Sequence, residues 1–183
     1  MQNPQPCDYK ILTWNCRQLT NKTNEFVKHS SSYNIIITET WLKPSKNFFI
    51  PGFHAIRKDR EHSKGGGILI AVQKQTSLNI LANTALEDQH IETLVIQIPI
   101  KNDTLTIAAV YRTQNSPLDP NIWKKFLTEL NNTANFILTG DFNAHHKFWN
   151  CSRTDAPGER AAPRNRRNRL HDLKHKHSLL SWI

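Results

Sequence analysis

The stretch "HIETLVIQIPIKNDTLTIAAVYR", residues 90–112, decides the fold. It holds two runs rich in Ile, Val, Leu and Thr, 90–100 and 104–112, with a short polar break around "KNDT". Strand-forming residues on either side of a short polar break predict a hairpin. The first run alternates, so Glu92 falls on its polar face and reads as a solvated or cross-strand-paired carboxylate.

The same reading extends in both directions. "YKILTWN" (9–15) alternates as a strand, and "YNIIITET" (33–40) is a near-continuous apolar run that suits a strand buried on both faces. A modest helix is predicted over 21–30. Residues 43–53 read as a loop, from their Pro and Gly. "GGGILIAV" (65–72) is a tight glycine turn entering a strand, and 77–82 is a short strand. No Gly-Lys-Ser/Thr follows the glycines, which excludes a P-loop. Asp119 and Pro120 predict a capped helix start, with Ile122, Phe126, Leu127 and Leu130 on its apolar side. "NFILTGDF" (135–142) is another buried strand. A long loop is expected to about Gly158, then a helix from Arg166 and a last strand at 178–183. Strands in hairpins mixed with strands after helices predict an α+β or layered α/β fold.

At 183 residues the chain fits one domain with a real core. Hydrophobic content of 38% and charged content of 21% exclude a disordered composition. No apolar run approaches the roughly 18 residues a membrane span needs. "MQNPQPCDYK" is not a signal peptide, so an intracellular protein is expected. Cys7, Cys16 and Cys151 are too scattered for a disulfide framework or a Cys-rich zinc site. The formal charge of +9 favours a polyanionic partner. Part of it is concentrated late in the chain, at Arg160, Arg164, Arg166, Arg167, Arg169, Lys174 and Lys176 against Glu159 and Asp172.

Polar groups stand at the ends of the predicted strands: Asn15, Glu39, Tyr111, and Asp141 with Asn143. Chemistry is commonly placed on strand ends and loops of a rigid scaffold. Glu and Asp are hard oxygen ligands suited to Mg²⁺. Asn orients water or a carboxylate, and Tyr donates to phosphate oxygens. These types together match the needs of phosphodiester hydrolysis. The alternative for each position alone is an ordinary turn residue. His145 and His146 read as a surface loop pair. Trp41, Trp149 and Trp182 read as core or edge packing, with Trp149 the best placed of the three to meet DNA.

In order, "TWNCRQL", "ITETWL", "GGGILIAV", "IETLVI", "AAVYR" and "GDFNAHH" resemble the exonuclease–endonuclease–phosphatase superfamily over about residues 9–160. "WNCRQL" and "GDFNAHH…W" look most like the apurinic/apyrimidinic-endonuclease-like domain of LINE-type (non-LTR) retrotransposons. The resemblance implies a four-layer sandwich, two mostly antiparallel sheets face to face with helices outside. It implies Mg²⁺-dependent (or Mn²⁺-dependent) nicking of DNA, with a 3′-hydroxyl left to prime reverse transcription. Carried over by motif, Glu39 would hold the metal and Asn15 would support metal and phosphate. Tyr111 would contact the scissile phosphate, Asp141 would deprotonate the attacking water and Asn143 would align it. Arg17, Arg112, Arg164, Arg166, Arg167 and Arg169 are the expected nucleic-acid contacts. Arg17 stands where cellular repair enzymes carry Asp, which argues against abasic-site repair.

Members of that superfamily end in a Ser-Asp-His motif after further strands, and none follows here. The resemblance therefore implies residues 1–8 as a disordered arm and 9–183 as one domain lacking its C-terminal strands. Its second sheet would be incomplete and its activity weak or absent. The expected partners are DNA and, through lost downstream domains, element RNA, with no membrane, in the nucleus when chromosomal DNA is the target. Two other readings stand beside it. One is a non-catalytic nucleic-acid-binding remnant held by 160–176. The other is a superfamily phosphatase or phosphodiesterase acting on a phosphoinositide, sphingomyelin or poly(A).

Overall fold

The computed structural model describes residues 10–30, 34–61, 63–81, 88–100, 103–117, 119–147 and 151–161. Within them the chain runs β1 (Ile11–Asn15), α1 (Thr23–Ser30), β2 (Asn34–Thr38), β3 (Phe53–Lys58), β4 (Ile68–Gln73), β5 (Asn79–Ile80), β6 (Ile91–Ile100), β7 (Asp103–Arg112), α2 (Pro120–Asn131), β8 (Phe136–Asp141) and α3 (Ala156–Ala161). The strands form two four-stranded sheets, ordered β1-β2-β4-β3 and β5-β6-β7-β8. The pairs β1–β2 and β7–β8 are parallel, and the other pairings are antiparallel.

Side chains alternate across a strand, so a strand buried on both faces must be apolar throughout. β4 shows this. Ile68, Ile70 and Val72 meet Leu94, Ile96, Ile98, Ile107 and Ala109 of the second sheet. Leu69 and Ala71 turn the other way, into a cluster with Phe26 of α1, Ile37, Leu42 and Ile50. On the far side, Val95, Ala108 and Val110 pack against Trp123, Phe126 and Leu130 of α2. Three cores thus separate four layers: helix, sheet, sheet, helix. The expected sandwich of two mostly antiparallel sheets with outer helices is present.

α2 begins as its sequence dictates. The Asp119 side chain accepts the Asn121 N–H at 2.8 Å, and Pro120 takes the first turn. Its buried face is Trp123, Phe126 and Leu130, with Ile122 and Leu127 partly buried. Trp123, not Ile122, leads that face. The fully buried Phe126 is worth about 3–5 kcal/mol against alanine.

Two elements depart from the sequence reading. β3 emerges from the expected loop at Phe53; it is an edge strand paired only with β4, and His54 and Lys58 are exposed, which hides its apolar period. α3 lies in the expected long loop, which it closes onto α2 through Trp123 Nε1 donating to the Ala161 carbonyl at 3.2 Å. The arm 1–8, the basic segment beyond Ala161, its expected helix and the expected last strand lie outside the described residues. Among the described residues no helix is long and apolar enough to cross a membrane.

Candidate active site

Each parallel pair aligns the carboxyl ends of its two strands. Asn15 stands opposite Thr38, and Tyr111 opposite Asp141. The two pairs then meet across the sandwich. Thr13 and Thr139 share a hydroxyl–hydroxyl hydrogen bond of 2.8 Å. Two residues further along each strand, on the same faces, Asn15 Nδ2 donates to Asp141 Oδ2 at 2.6 Å. The Tyr111 hydroxyl donates to Glu39 Oε1, again across the sheets. Asn15, Glu39, Tyr111 and Asp141 therefore occupy one site at the carboxyl ends of β1, β2, β7 and β8. Ligand sites in open sheets form at such ends.

The backbone here is unusual. Glu39, Trp41 and Asn143 have left-handed φ of 58°, 54° and 44°, and Arg17 and Gln18 have 43° and 81°. Left-handed backbone costs a bulky residue on the order of 1–3 kcal/mol and gathers at functional positions. Glu39 is held by Trp41 Nε1 and more weakly by the Gly66 N–H at 3.4 Å, both on Oε2. Trp41 is 43% exposed beside it, so the expected core or edge packing gives way to a place at the mouth of the site. Gly140 precedes Asp141 because a Cβ there would lie 1.9 Å from the Val110 carbonyl.

Asp141 is buried, and both its oxygens are engaged: Oδ2 by Asn15, Oδ1 by the Asn143 N–H at 2.9 Å. Burial pushes its carboxyl above the usual range, aided by the charge of Glu39, while Asn143 and Asn15 oppose the shift. A raised carboxylate is a better proton acceptor than a solvated one. Burial and the bond to Glu39 push the Tyr111 phenol well up, which keeps it a donor. Asn143 Nδ2 donates to the Arg112 carbonyl at 2.6 Å, which fixes the Asn143 side chain.

Asn15 Oδ1 is buried without a hydrogen-bond partner among the described residues. An orphaned acceptor in a polar site calls for an explanation, and a bound ion is one. Among the described residues no group of three or more His, Cys, Asp and Glu side chains forms a metal cluster. One carboxylate plus an amide oxygen does not suit zinc. It does suit Mg²⁺, which keeps most of its waters and takes one or two protein carboxylates. Glu39 and Asn15 thus fit a hydrated Mg²⁺.

Arg112 corrects the sequence reading. It is only 2% exposed, with Nε on the Phe142 carbonyl at 2.7 Å, Nη2 on the Asn143 carbonyl at 2.5 Å and Nη1 on the Ser116 carbonyl. Its donors are spent on backbone, so it shapes the loop after Asp141 and does not reach DNA. Strand parity explains this: Tyr111 faces the site, and its neighbour faces the α2 side. Arg17 is exposed near Asn15, as a DNA contact requires. Arg164, Arg166, Arg167, Arg169, Trp149 and Trp182 lie outside the described residues. Glu92 is not solvated but 8% exposed, paired with Arg60, and accepts the Gly67 N–H at 2.6 Å. His145 and His146 clasp the loop through Asp155 at 2.8 Å and Glu159 at 3.5 Å.

A family model described as endonuclease–reverse transcriptase matches residues 105–182. The RNA-directed DNA polymerase from mobile element jockey of Drosophila melanogaster is 27% identical over 156 residues, 82% of this chain and 16% of that protein. Its Drosophila funebris counterpart is 26% identical over 155 residues, again 82% and 16%. The chain thus spans about a sixth of the length of these relatives. The endonuclease domain of TRAS1, a telomere-specific non-LTR retrotransposon, superposes with a TM-score of 0.65 at 15% identity, covering 86% of this chain and 70% of that one. An AP endonuclease from Archaeoglobus fulgidus gives 0.51 at 16% identity, covering 84% and 68%. At such identities the structural matches establish the fold.

Proposed function

We propose that this chain, which is related to the endonuclease domains of non-LTR retrotransposons, cuts one strand of DNA by Mg²⁺-dependent hydrolysis. The observation that carries the reading is the meeting of Asn15, Glu39, Tyr111 and Asp141 at one edge of the sandwich, with the Asn15 Oδ1 acceptor unfilled among the described residues. Glu39 and Asn15 Oδ1 would hold the ion. When bound, Mg²⁺ neutralises charge on the phosphate and on the departing oxygen.

The chain's own groups supply the rest. The Asp141 carboxylate, held by Asn15 and Asn143, takes a proton from a water. The water oxygen bonds to phosphorus as the bond to O3′ breaks. O3′ departs with the bonding electron pair and takes a proton from solvent water to become a free 3′-hydroxyl, and the phosphate stays on the 5′ side. The Tyr111 hydroxyl turns from Glu39 to donate to a phosphate oxygen, stabilising charge that develops in the transition state. Asn143, its side chain tied to the Arg112 carbonyl, fixes the loop that aligns the water. A free 3′-hydroxyl is the group a reverse transcriptase extends. Priming on target DNA, contact with element RNA and nuclear action follow from the same reading.

Supercoiled plasmid tests it. Nicking is expected in Mg²⁺ or Mn²⁺, abolished by EDTA, and reduced at least 10²-fold by Glu39→Ala. Equal nicking with EDTA would remove the metal from the account.

A further inference from the structure

Arg60 joins three parts of the site that the mechanism leaves unconnected. It lies in the segment between β3 and the glycine turn, yet its side chain is only 14% exposed. Its Nε donates to Glu92 Oε1 on β6. Its Nη2 donates to the Thr113 hydroxyl, just past β7, at 2.9 Å. Its guanidinium carbon sits 5.3 Å from the centroid of the Tyr111 ring, on the ring's face. The other oxygen of Glu92 takes the Gly67 N–H at 2.6 Å. Gly66 makes room for this: a Cβ there would lie 2.6 Å from the guanidinium carbon and 2.7 Å from Glu92 Oε1.

Glu92 and Tyr111 stand opposite each other in the β6–β7 register, so both point into the space between the sheets. Arg60 arrives from the first sheet and closes over that pair. A buried charge pair is a costly device, and its best-attested use is to fix geometry. A planar guanidinium with donors on two sides does this in a way a flexible ammonium does not. The Tyr111 ring is thereby pressed from one face while its hydroxyl is tied to Glu39 at the tip.

We infer that Arg60, braced by Glu92 and Thr113, is the positioning residue of Tyr111, fixing the phenol at the angle from which its hydroxyl meets the scissile phosphate. The inference rests on the nuclease reading for its consequence in rate, but the contact itself does not depend on activity. Without the brace the ring gains rotational freedom at the moment it must donate. A misplacement of about 1 Å in such a group costs about 10²-fold in rate.

The test uses the full 183-residue chain carrying ¹³Cζ-labelled tyrosine, with the Tyr111 signal identified by its loss in Tyr111→Phe. Arg60→Lys and the isosteric Glu92→Gln are expected to displace the Tyr111 signal and to leave those of Tyr9 and Tyr33 in place. On plasmid in Mg²⁺, Arg60→Lys is expected to lower kcat about 10²-fold with little change in KM. The double variant Arg60→Lys/Tyr111→Phe should be no slower than Tyr111→Phe alone, because residues acting as one unit are not additive. An unmoved Tyr111 signal in both single variants, or effects that multiply in the double variant, would overturn the inference. If the unaltered chain does not nick, the nuclease reading fails, and the tyrosine signal alone decides whether Arg60 positions Tyr111. Should Arg60→Lys unfold, Glu92→Gln carries the same comparison.

Discussion

Asn15 and Asp141 lie 126 positions apart in the chain and are joined by a 2.6 Å hydrogen bond from Nδ2 to Oδ2. That bond ties the end of β1 in one sheet to the end of β8 in the other. It also orients Asn15, because donating through Nδ2 leaves Oδ1 as the acceptor that is buried without a partner among the described residues. In the proposed mechanism one amide would then serve two neighbours, holding Asp141 through Nδ2 and offering Oδ1 to a cation.

This predicts that Asn15→Ala and Asn15→Asp fail for different reasons. Alanine removes both functions and should lower nicking about 10²- to 10⁴-fold. Aspartate places a second carboxylate against Asp141, so one of the two must take up a proton. Raising Mg²⁺ should rescue Asn15→Asp in part and Asn15→Ala hardly at all. Equal rescue of both would show that Asn15 does not face the cation.

Arg112 is predicted to be a stability residue. Arg112→Ala would strip buried donors from the carbonyls of Phe142, Ser116 and Asn143. The expected loss is about 3 kcal/mol, read as a lower urea midpoint. The salt dependence of DNA binding should stay the same in the folded variant, whereas Arg17→Ala should make it shallower. The reverse pattern would return Arg112 to the DNA surface.

Glu39 sits at φ 58°, where a side chain is strained and glycine is not. Both Glu39→Gly and Glu39→Ala should abolish metal-dependent nicking. They should differ in stability, with glycine the more stable by about 1 kcal/mol. Equal melting temperatures would mean that the backbone relaxes out of the left-handed region.

Cys16 carries a pH dependence whose sign is fixed. Burial pushes its thiol from 9.0 up to about 12, against the opposing charge of Lys22. Its Sγ also donates to the Glu39 carbonyl at 3.3 Å, a bond that the thiolate cannot make. The folded state therefore favours the protonated thiol. Stability from this group is intact below its unfolded value and is lost as pH rises through the window from 9.0 to about 12. Between about pH 8 and about pH 10.5, the urea midpoint should fall further for the unaltered chain than for Cys16→Ala. Parallel declines would place the thiol in water.

Much of this was legible in the sequence, because a buried apolar run that ends in Asn, Glu, Tyr or Asp marks a strand end. Asn15, Glu39, Tyr111 and Asp141 all stand at such ends, and the Asp119 cap of α2 was legible from Asp followed by Pro at a helix start. β3 was not, because an edge strand that sets Phe53 and Ala55 against one core and Ile56 against another, among His54, Arg57 and Lys58, lacks a clear apolar period. The Arg60–Glu92 pair spans 32 positions and two sheets, and no local pattern predicts such a contact. The true face of Arg112 was within reach, since its parity with Tyr111 places the two side chains on opposite sides of β7.

The most direct test joins the nick to its chemistry. Plasmid treated with the unaltered chain in Mg²⁺ should become open circular, and a DNA polymerase should extend the break at once from a free 3′-hydroxyl. Asp141→Asn, which keeps the shape but not the base, should lower that yield at least 10²-fold while the fold persists. Undiminished nicking by Asp141→Asn, or breaks that no polymerase extends, would contradict the account.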